Sequence, residues 1–426
     1  MVVFLFLVSL FGFILLNVPI AFSLLLSALI LMLYTGDFAP LIIMQSMVRG
    51  FDSFTLLAIP FFILAGEIMN AGGLSKRIVE FARSLIGHVQ GSLGYASILS
   101  SMLFAGVSGS ADADTSAVGS ILLPMMKEDG YDIKTSSALI ATAGCIGPII
   151  PPSIPMILFG VTAGVSISKL FLGGIIPGIL VGVGLMAAWR ISVKKQKLED
   201  RRGTFSWKKV LQTGKRAFFA LLLPVIILGG ILSGIVTATE SAVIAVAYAF
   251  LISTFIYREF SLKSLPRILA ATARSTAVIM MICGSAMAVA YYVTLAQVPA
   301  QLSALLLAIS DNVLVVMLLI NILLLLIGCV MDLAPAIFLM TPILLPIISN
   351  FGLDPVYFGV VMCINLCIGL VTPPVGTVLF VICGLSKISV TDIIKPLIPF
   401  ISVMIVVLLL VTYIPGLILF IPNSFA

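Results

Sequence analysis

Long apolar runs separated by short polar stretches recur along the whole chain of 426 residues. A helix needs about 20 apolar residues to cross a hydrocarbon core of roughly 30 Å, and many of these runs approach or reach that length. Lys and Arg lie mostly between the runs. The pattern predicts an all-α polytopic membrane protein, because a soluble core could not bury so many apolar runs.

A shift of 222 residues, the distance from Ile121 to Ile343, aligns the chain with itself at several landmarks. The matched pairs are Ile121–Pro124 with Ile343–Pro346, Cys145–Gly147 with Cys367–Gly369, and Pro151–Pro152 with Pro373–Pro374. Gly106 also falls on Gly328. Several matches in one register indicate that the chain is internally duplicated.

Each half contains a span, an amphipathic stretch, two short apolar arms that meet at a Gly-rich or Pro-rich tip, and an apolar segment broken by Pro-Pro. In the first half these are 55–71, 75–87, 92–126 and 136–164, and in the second they are 277–293, 297–309, 314–348 and 357–383. Arms of this length favour a re-entrant hairpin, which is tolerated where protein or water satisfies its backbone. An odd number of crossings separates the two halves, so we expect inverted repeats with two re-entrant helical hairpins and two broken helices.

The distribution of charge is consistent with this topology. When the basic linker 191–216 is placed in the cytoplasm, every Lys and Arg except Arg49 and Lys169 falls on the cytoplasmic side. Arg274 is among them, and we expect no cation deep in a span.

The predicted divisions are 1–54 for N-terminal scaffold helices, 55–190 for the first repeat, 191–276 for the cytoplasmic linker and central scaffold helices, 277–395 for the second repeat, and 396–426 for a C-terminal helix.

Composition supports the membrane class and excludes a nucleic-acid partner. Apolar residues make up 61% of the chain and charged residues 9%, against roughly 45–50% and 25% in soluble domains. The net charge is +6, but cations that bind phosphates would cluster on a soluble face. Residues 2–35 lack a basic n-region, and we expect them to form two spans hinged at 17–19.

The two helix breaks and the two hairpin tips are the candidate sites of chemistry. Proline removes a backbone donor, so each Pro-Pro pair frees carbonyls around Gly147 and Ile150, and around Gly369 and Thr372. The hydroxyls of Ser108, Ser110 and Thr372 could add oxygen ligands for sodium, as for other hard cations. A plain proline kink, satisfied by neighbouring helices or water, is the alternative.

Acidic residues at the tips carry two open interpretations. Asp112 and Asp114 follow Ser110, a good N-cap, and Asp332 falls on the repeat position of Ser110. These carboxylates could complement a helix N-terminus or supply charge to a cation site. Glu67, near the end of a span, is expected at the membrane interface.

Four ordered motifs resemble the large membrane subunit of TRAP transporters, the DctM-like family. They are GVSGSADADTSAVGSILLPMM, GCIGPIIPPSIPMILFG, GGILSGIVTATESAVIAVAYAF and NLCIGLVTPPVGTVLFV. The resemblance covers nearly the whole chain and implies an elevator-type ion-transporter fold in a bacterial inner membrane. It also implies sodium-driven uptake, a separate four-helix DctQ-like small membrane subunit, and a periplasmic solute-binding protein that delivers a carboxylate. C4-dicarboxylates, sialic acid and other sugar acids are substrates of the family, and the sequence does not choose among them.

The family's sodium sites, carried over motif by motif, fall on two sets of residues. The first set is Ser108, Gly147, Ile150 and Pro152, to which the hydroxyl argument adds Ser110; the second is Gly328, Gly369, Thr372 and Val375. Residues expected near the substrate are Ser108, Asp112, Ser153, Asp332 and Pro374. Sodium is the only metal expected, and no organic cofactor is.

Two other functions were weighed against transport by this family. Gly106–Gly109 fits the GxSG pattern of an intramembrane serine protease, with Ser108 as nucleophile and His88 as base. The tip has a repeat partner without serine, and His88 lies in a loop, so we expect no enzymatic activity. A sodium/proton-type exchanger of the same architecture would use the aspartates as its titratable groups.

Overall fold

The structure, a computed structural model, describes residues 2–36, 38–195 and 205–424, and their regular structure is helical throughout. The first half contains α1 (Val2–Leu15), α2 (Ile20–Thr35), α3 (Pro40–Phe51), α4 (Ala58–Ala71), α5 (Leu74–Ile86), α6 (Ser92–Ser108), α7 (Ala111–Glu128), α8 (Ile133–Gly144), α9 (Ile154–Ala163) and α10 (Ile167–Lys195). The second half contains α11 (Trp207–Leu232), α12 (Ala238–Leu251), α13 (Leu265–Leu295), α14 (Val298–Ile309), α15 (Val313–Gly328), α16 (Leu333–Asn350), α17 (Pro355–Gly369), α18 (Thr377–Ser386), α19 (Val390–Tyr413) and α20 (Gly416–Ser424). Within the described ranges, seven helices are long and apolar enough to cross a membrane.

The predicted fold class is confirmed. Helices α6 and α7 form the first hairpin, α15 and α16 the second, and the pairs α8/α9 and α17/α18 are the two broken helices. Ser110 and Asp332, which occupy the same repeat position, are the N-caps of α7 and α16. The second helix of each hairpin therefore begins at a side-chain cap.

Several predicted boundaries differ from the observed ones. Helix α13 begins at Leu265, 12 residues before the predicted start at 277. The expected single helix at 396–426 is instead α19, which starts at Val390, and α20. Pro415 lies between them and cannot continue the backbone hydrogen bonding of α19. The predicted linker 191–216 is helical at both ends, and its residues 196–204 lie outside the described residues.

The elements that hold the site pack in a defined order. Helices α2, α3 and α4 pack against α13, and α4 also packs against α12. The hairpin helix α7 contacts α8 and α18, while α16 contacts α9, α13 and α17. The second hairpin therefore lies against the long helix α13, and the two repeats meet through α7 with α18 and α16 with α9.

A buried polar network joins α15, α17 and α19. The side-chain amide of Asn365 donates to the backbone and side-chain oxygens of Asn321, at 2.9 and 2.8 Å, and Asn321 donates to Thr412 Oγ1 at 3.1 Å. The hydroxyl of Tyr357 donates to the carbonyl of Thr412 at 2.5 Å. All four residues are buried. Polar groups in such surroundings are costly without partners, so the network fixes the second hairpin against the second broken helix and α19.

We expect Asn321→Ala to lower the free energy of unfolding by about 1–2 kcal/mol, because it leaves the amide of Asn365 and the hydroxyl of Thr412 without a side-chain partner. The matched control is Asn350→Ala at the exposed end of α16. Thermal unfolding of the purified membrane protein in detergent measures both. Equal unfolding temperatures for the two variants would show that the network does not stabilise the fold.

Candidate functional site

A cavity of about 670 Å³ lies between α4 and α13 on one side and the two hairpin tips on the other. Its wall also includes the start of α9 and Leu370 of the second break. Four charged residues line it: Glu67 on α4, Asp112 on α7, Asp332 at the start of α16, and Arg274 on α13. Pockets of this size and shape hold small ligands, so the cavity is the candidate substrate site.

The first hairpin tip folds around a buried carboxylate. The hydroxyl of Ser108 hydrogen-bonds to Oδ1 of Asp114, and the backbone N–H of Ser110 donates to the same hydroxyl at 3.2 Å. Asp114 is fully buried, and its second oxygen, Oδ2, has no hydrogen-bond donor. An acidic oxygen buried without a donor is a strong acceptor for a cation.

This carboxylate is directed at the first helix break. A methyl group placed on Gly147 would collide with Oδ2 of Asp114, so the carboxylate lies directly against that residue. Gly109, at a φ of +58°, approaches the same break closely, because a methyl group there would lie 2.7 Å from the carbonyl oxygen of Pro152. Ser108, Ser110, Gly147 and Pro152 are therefore brought together.

Ile150 belongs to the same break, but its side chain points away from the tip. It packs against Gly178 of α10, where a methyl group on the glycine would overlap it. Its backbone N–H donates to the carbonyl of Ile146 at 3.0 Å. Only the backbone of Ile150 is therefore in a position to face the first tip.

The backbones of the second hairpin tip and the second break approach each other closely. A methyl group on Gly369 would lie 2.6 Å from the Cα and carbonyl oxygen of Gly328. The N–H of Val375 donates to the carbonyl of Cys329 at 3.1 Å, and the hydroxyl of Thr372 donates to the carbonyl of Ile368 at 2.7 Å. Gly328, Gly369 and Val375 thus lie close together, and Thr372 bonds within its own segment. Both breaks contain a cis Pro-Pro peptide bond.

Two of the expected substrate-proximal residues lie elsewhere. Ser153 is fully buried as the N-cap of α9, where its hydroxyl donates to the carbonyl of Pro148 at 2.5 Å. Pro374 does not line the cavity, and Leu370 represents the second break there instead. Ser108, Asp112 and Asp332 do line it. Pro151, Pro152 and Ser153 interrupt the first broken helix, and the hydroxyl of Ser153 bonds to its backbone. The hairpin tips, in contrast, line the cavity.

The structure adds two charged residues that the sequence interpretation had placed outside the site. The expected span starts at 277 and leaves Arg274 outside it, whereas α13 begins at Leu265 and carries Arg274, an exposed residue, on the cavity wall. Pro266 in the first turn of α13 is the sequence feature that marks this earlier start. Glu67, expected at the membrane interface, also lines the cavity.

The protease arrangement is not formed. The partner of Ser108 is Asp114, whereas His88 packs its ring against Phe205 at a centroid distance of 5.1 Å. His88 lines a different cavity, together with Arg190 and Lys194. Ser108 therefore has no histidine base, and its hydroxyl is held by a carboxylate.

Residues 7–417 match the family model described as the tripartite ATP-independent periplasmic transporter, DctM component. A Haemophilus influenzae protein assigned as a TRAP transporter large permease is 50% identical over 423 residues, which cover 98% of each chain. The 2,3-diketo-L-gulonate TRAP transporter large permease of Escherichia coli K12 is 44% identical over 98% of each chain. The sialic acid TRAP transporter large permease of Vibrio cholerae is 38% identical over 97% of each. All three relatives are permeases and not enzymes.

The fold also resembles that of solved structures. The YdaH transporter of Alcanivorax borkumensis, whose crystal structure has an unusual topology, superposes with a TM-score of 0.60 over 87% of both chains. The sequence identity is 14%, so the similarity concerns the fold alone. It shows that the arrangement of the helices described above occurs in another transporter.

We expect Gly369→Ala to destabilise the protein by about 1–3 kcal/mol, because the added methyl group would overlap the backbone of Gly328 and force the tip and the break apart. Gly384→Ala in α18 is the matched control, since nothing lies within 4 Å of its added methyl group. Thermal unfolding, repeated with and without sodium chloride, measures the effect. If Gly369→Ala is as stable as Gly384→Ala, the close contact between tip and break does not support the fold.

Proposed function

The chain belongs to the DctM family of tripartite ATP-independent periplasmic transporters, and from that premise we propose that it imports small carboxylates, driven by sodium. The observation that carries the proposal is the packing of each hairpin tip against the break of its own repeat, beside one cavity. Interrupted helices of this kind present carbonyls to cations and helix N-termini to anions.

The first tip and break are suited to a sodium ion. Sodium prefers oxygen ligands, and this region gathers the hydroxyl of Ser108, the free Oδ2 of Asp114 and backbone carbonyls around Gly147, Ile150 and Pro152. Ser110 contributes its backbone and its N-cap hydroxyl. The proposed second site uses carbonyls of Gly328, Gly369 and Val375 with the lone pairs of the Thr372 hydroxyl.

Sodium would also offset the excess negative charge on the cavity wall. Three carboxylates face a single guanidinium there, so an anionic substrate meets net repulsion unless cations accompany it. Each sodium that enters down a potential of 100 mV contributes roughly 2.3 kcal/mol. Cations bound next to the tips can therefore both neutralise the site and drive an anion inwards.

The position of the cavity suggests the state that the structure represents. Glu67, Asn70 and Arg274 lie on its wall, and the predicted charge topology puts these parts of α4 and α13 towards the cytoplasm. We assign the structure to an inward-facing state of an elevator mechanism. The hairpins and broken helices form the moving part, and α4, α12 and α13 belong to the fixed part against which the tips slide.

Transporters of this family are tripartite, which implies two further components beside this chain. We propose a four-helix small membrane subunit and a periplasmic solute-binding protein, with the complex in a bacterial inner membrane. The substrate class is a carboxylate. The relatives' substrates, 2,3-diketo-L-gulonate and sialic acid, are both sugar acids.

The proposal predicts sodium-dependent uptake of a labelled carboxylate into proteoliposomes that hold both membrane subunits, with the binding protein outside. We expect Ser108→Ala and Thr372→Ala each to raise the half-saturating sodium concentration about tenfold, the loss of roughly one ligand. Ser120→Ala is the matched control, since that exposed hydroxyl bonds only to the carbonyl of Ala117 on the same hairpin. The proposed function would be contradicted by uptake that does not depend on sodium and that responds to Ser108→Ala and Thr372→Ala no more than to Ser120→Ala.

Asp114→Asn separates the two proposed sodium sites. Asparagine keeps the hydrogen bond with Ser108 but removes the charge, and the repeat counterpart of Asp114 is Ala336, which carries none. We therefore expect one sodium-dependent phase to weaken about tenfold and the other to remain. Asp311→Asn, an exposed residue before α15, is the control. Equal weakening of both phases would argue against a local role for Asp114.

A further inference from the structure

A second cavity, of about 450 Å³, lies at the end of α10 and shares no lining residue with the first. The loop between α5 and α6 forms one wall through His88, and α10 forms another through Arg190 and Lys194. The predicted charge topology puts this end of α10 at the cytoplasmic surface of the membrane. We propose that the cavity binds a phosphodiester of net negative charge, the headgroup of an anionic phospholipid of the cytoplasmic leaflet.

The charged groups of this cavity are unpaired cations. Arg190 and Lys194 are exposed, and neither belongs to an ion pair within the described chain. They lie four residues apart on one helix, where like charges are neighbours and repel each other. Among the described residues that line the cavity none is acidic. The linker 196–204 that follows adds three Lys or Arg and two acidic residues, so its sequence leaves the charge balance positive. An anion between the two side chains would relieve their repulsion.

The loop wall of the cavity is held in shape by α10 itself. The indole N–H of Trp189, a fully buried residue, donates to the carbonyl of Gly91 at 2.8 Å, and Tyr131 stacks on the indole ring at a centroid distance of 6.1 Å. Gly91 has a φ of +78°, and a methyl group there would lie 2.7 Å from a methyl group of Val193. The loop that carries His88 is therefore packed closely against the end of α10. The cavity is formed by this packing and not by surface side chains alone.

Neutral donors surround the two cations. Tyr95 brings a phenol, Gln90 a side-chain amide and His88 an imidazole to the same cavity. A phosphate group accepts several hydrogen bonds, and the planar guanidinium of Arg190 can donate two of them in parallel. The lining therefore suits a phosphate better than a small halide ion, which has no oxygens to distribute among these donors.

The exposed face of α10 favours a lipid as the source of the phosphate. Its exposed positions recur at intervals of three or four residues and so form one stripe along the helix. The stripe runs through Ile179, Val183, Ala187, Arg190 and Lys194. It is apolar up to the last two members, which are basic. Acyl chains can lie along the apolar part while the headgroup reaches the cavity.

Aromatic residues beside the cavity place it at the level of the lipid headgroups. The ring of His88 packs against Phe205 at a centroid distance of 5.1 Å, and Phe205 packs against Trp207 at 5.6 Å. Phe205 and Trp207 are both exposed. Exposed aromatic rings of this kind are enriched at the membrane–water interface, and basic pockets between helices on the cytoplasmic side bind anionic headgroups. A soluble phosphate would make no use of the rings or of the stripe.

The test counts lipids bound to the purified, delipidated permease by native mass spectrometry. Dioleoyl phosphatidylglycerol has a net negative headgroup, and dioleoyl phosphatidylcholine has the same chains with a phosphate that its own choline neutralises. We expect phosphatidylglycerol to bind at least about tenfold more tightly. Inorganic phosphate and glycerol 3-phosphate, added in large excess, should not displace it.

Two double variants locate the site. Arg190→Gln with Lys194→Gln should weaken binding of phosphatidylglycerol at least about tenfold and leave phosphatidylcholine unchanged. Lys263→Gln with Arg267→Gln is the matched control, because it removes two exposed cations near the start of α13, outside the cavity. The ratio of the two lipid affinities is measured within each variant, so a loss of folded protein does not change it.

Three results would overturn the inference. The first is phosphatidylglycerol that binds no more tightly than phosphatidylcholine. The second is an equal loss in the two double variants, which would show general attraction to the basic surface. The third is displacement of the lipid by inorganic phosphate or glycerol 3-phosphate, which would make this a site for a soluble phosphate.

Discussion

Backbone N–H and C=O groups far from water must find partners inside the protein, and this constraint governs the structure. Two hairpin tips and two helix breaks leave helical geometry where water is scarce. Each tip is packed onto the break of its own repeat, as Gly109 is on Pro152 and Gly328 is on Gly369. Glycine is required at these contacts because any side chain would separate the two backbones. In the second repeat the N–H of Val375 in the break donates to the carbonyl of Cys329 at the tip, and both tips line the cavity.

The sequence predicts this framework well because its determinants are local. Apolar arms, the Gly and Pro residues that interrupt them, and a constant repeat offset locate both hairpins and both breaks. The capping role of Ser110 and Asp332 also follows from sequence, since it depends on the residues immediately after them. Contacts between distant segments are not predicted by the local sequence pattern. Nothing in the local pattern shows that Ser153 turns inwards to Pro148, or that Glu67 faces a cavity rather than the membrane surface.

Repeat symmetry explains the architecture but not the chemistry. Position 114 is an aspartate in the first repeat, and the equivalent position 336 is alanine in the second. The first tip is accordingly held by a hydrogen bond between Ser108 and a buried carboxylate, while at the second tip the backbones of Gly328 and Gly369 lie in close contact. One duplicated scaffold thus supports two unlike environments. The start of a helix also matters for the chemistry, since α13 begins at Leu265 and so carries Arg274, an exposed residue, on the cavity wall.

The hydrogen bond between Asn321 and Thr412 has a consequence for the end of the chain. It ties α19 to the second hairpin, and Lys134 of α8 adds an ion pair of 2.7 Å to Asp392 near the start of the same helix. Helix α19 is therefore tied to both repeats, and the offset of 222 residues makes it the counterpart of α10. Any displacement of the hairpins carries it along or breaks these bonds. If the hairpins move as proposed, a fluorophore attached after α20 would change its depth in the bilayer and report that movement.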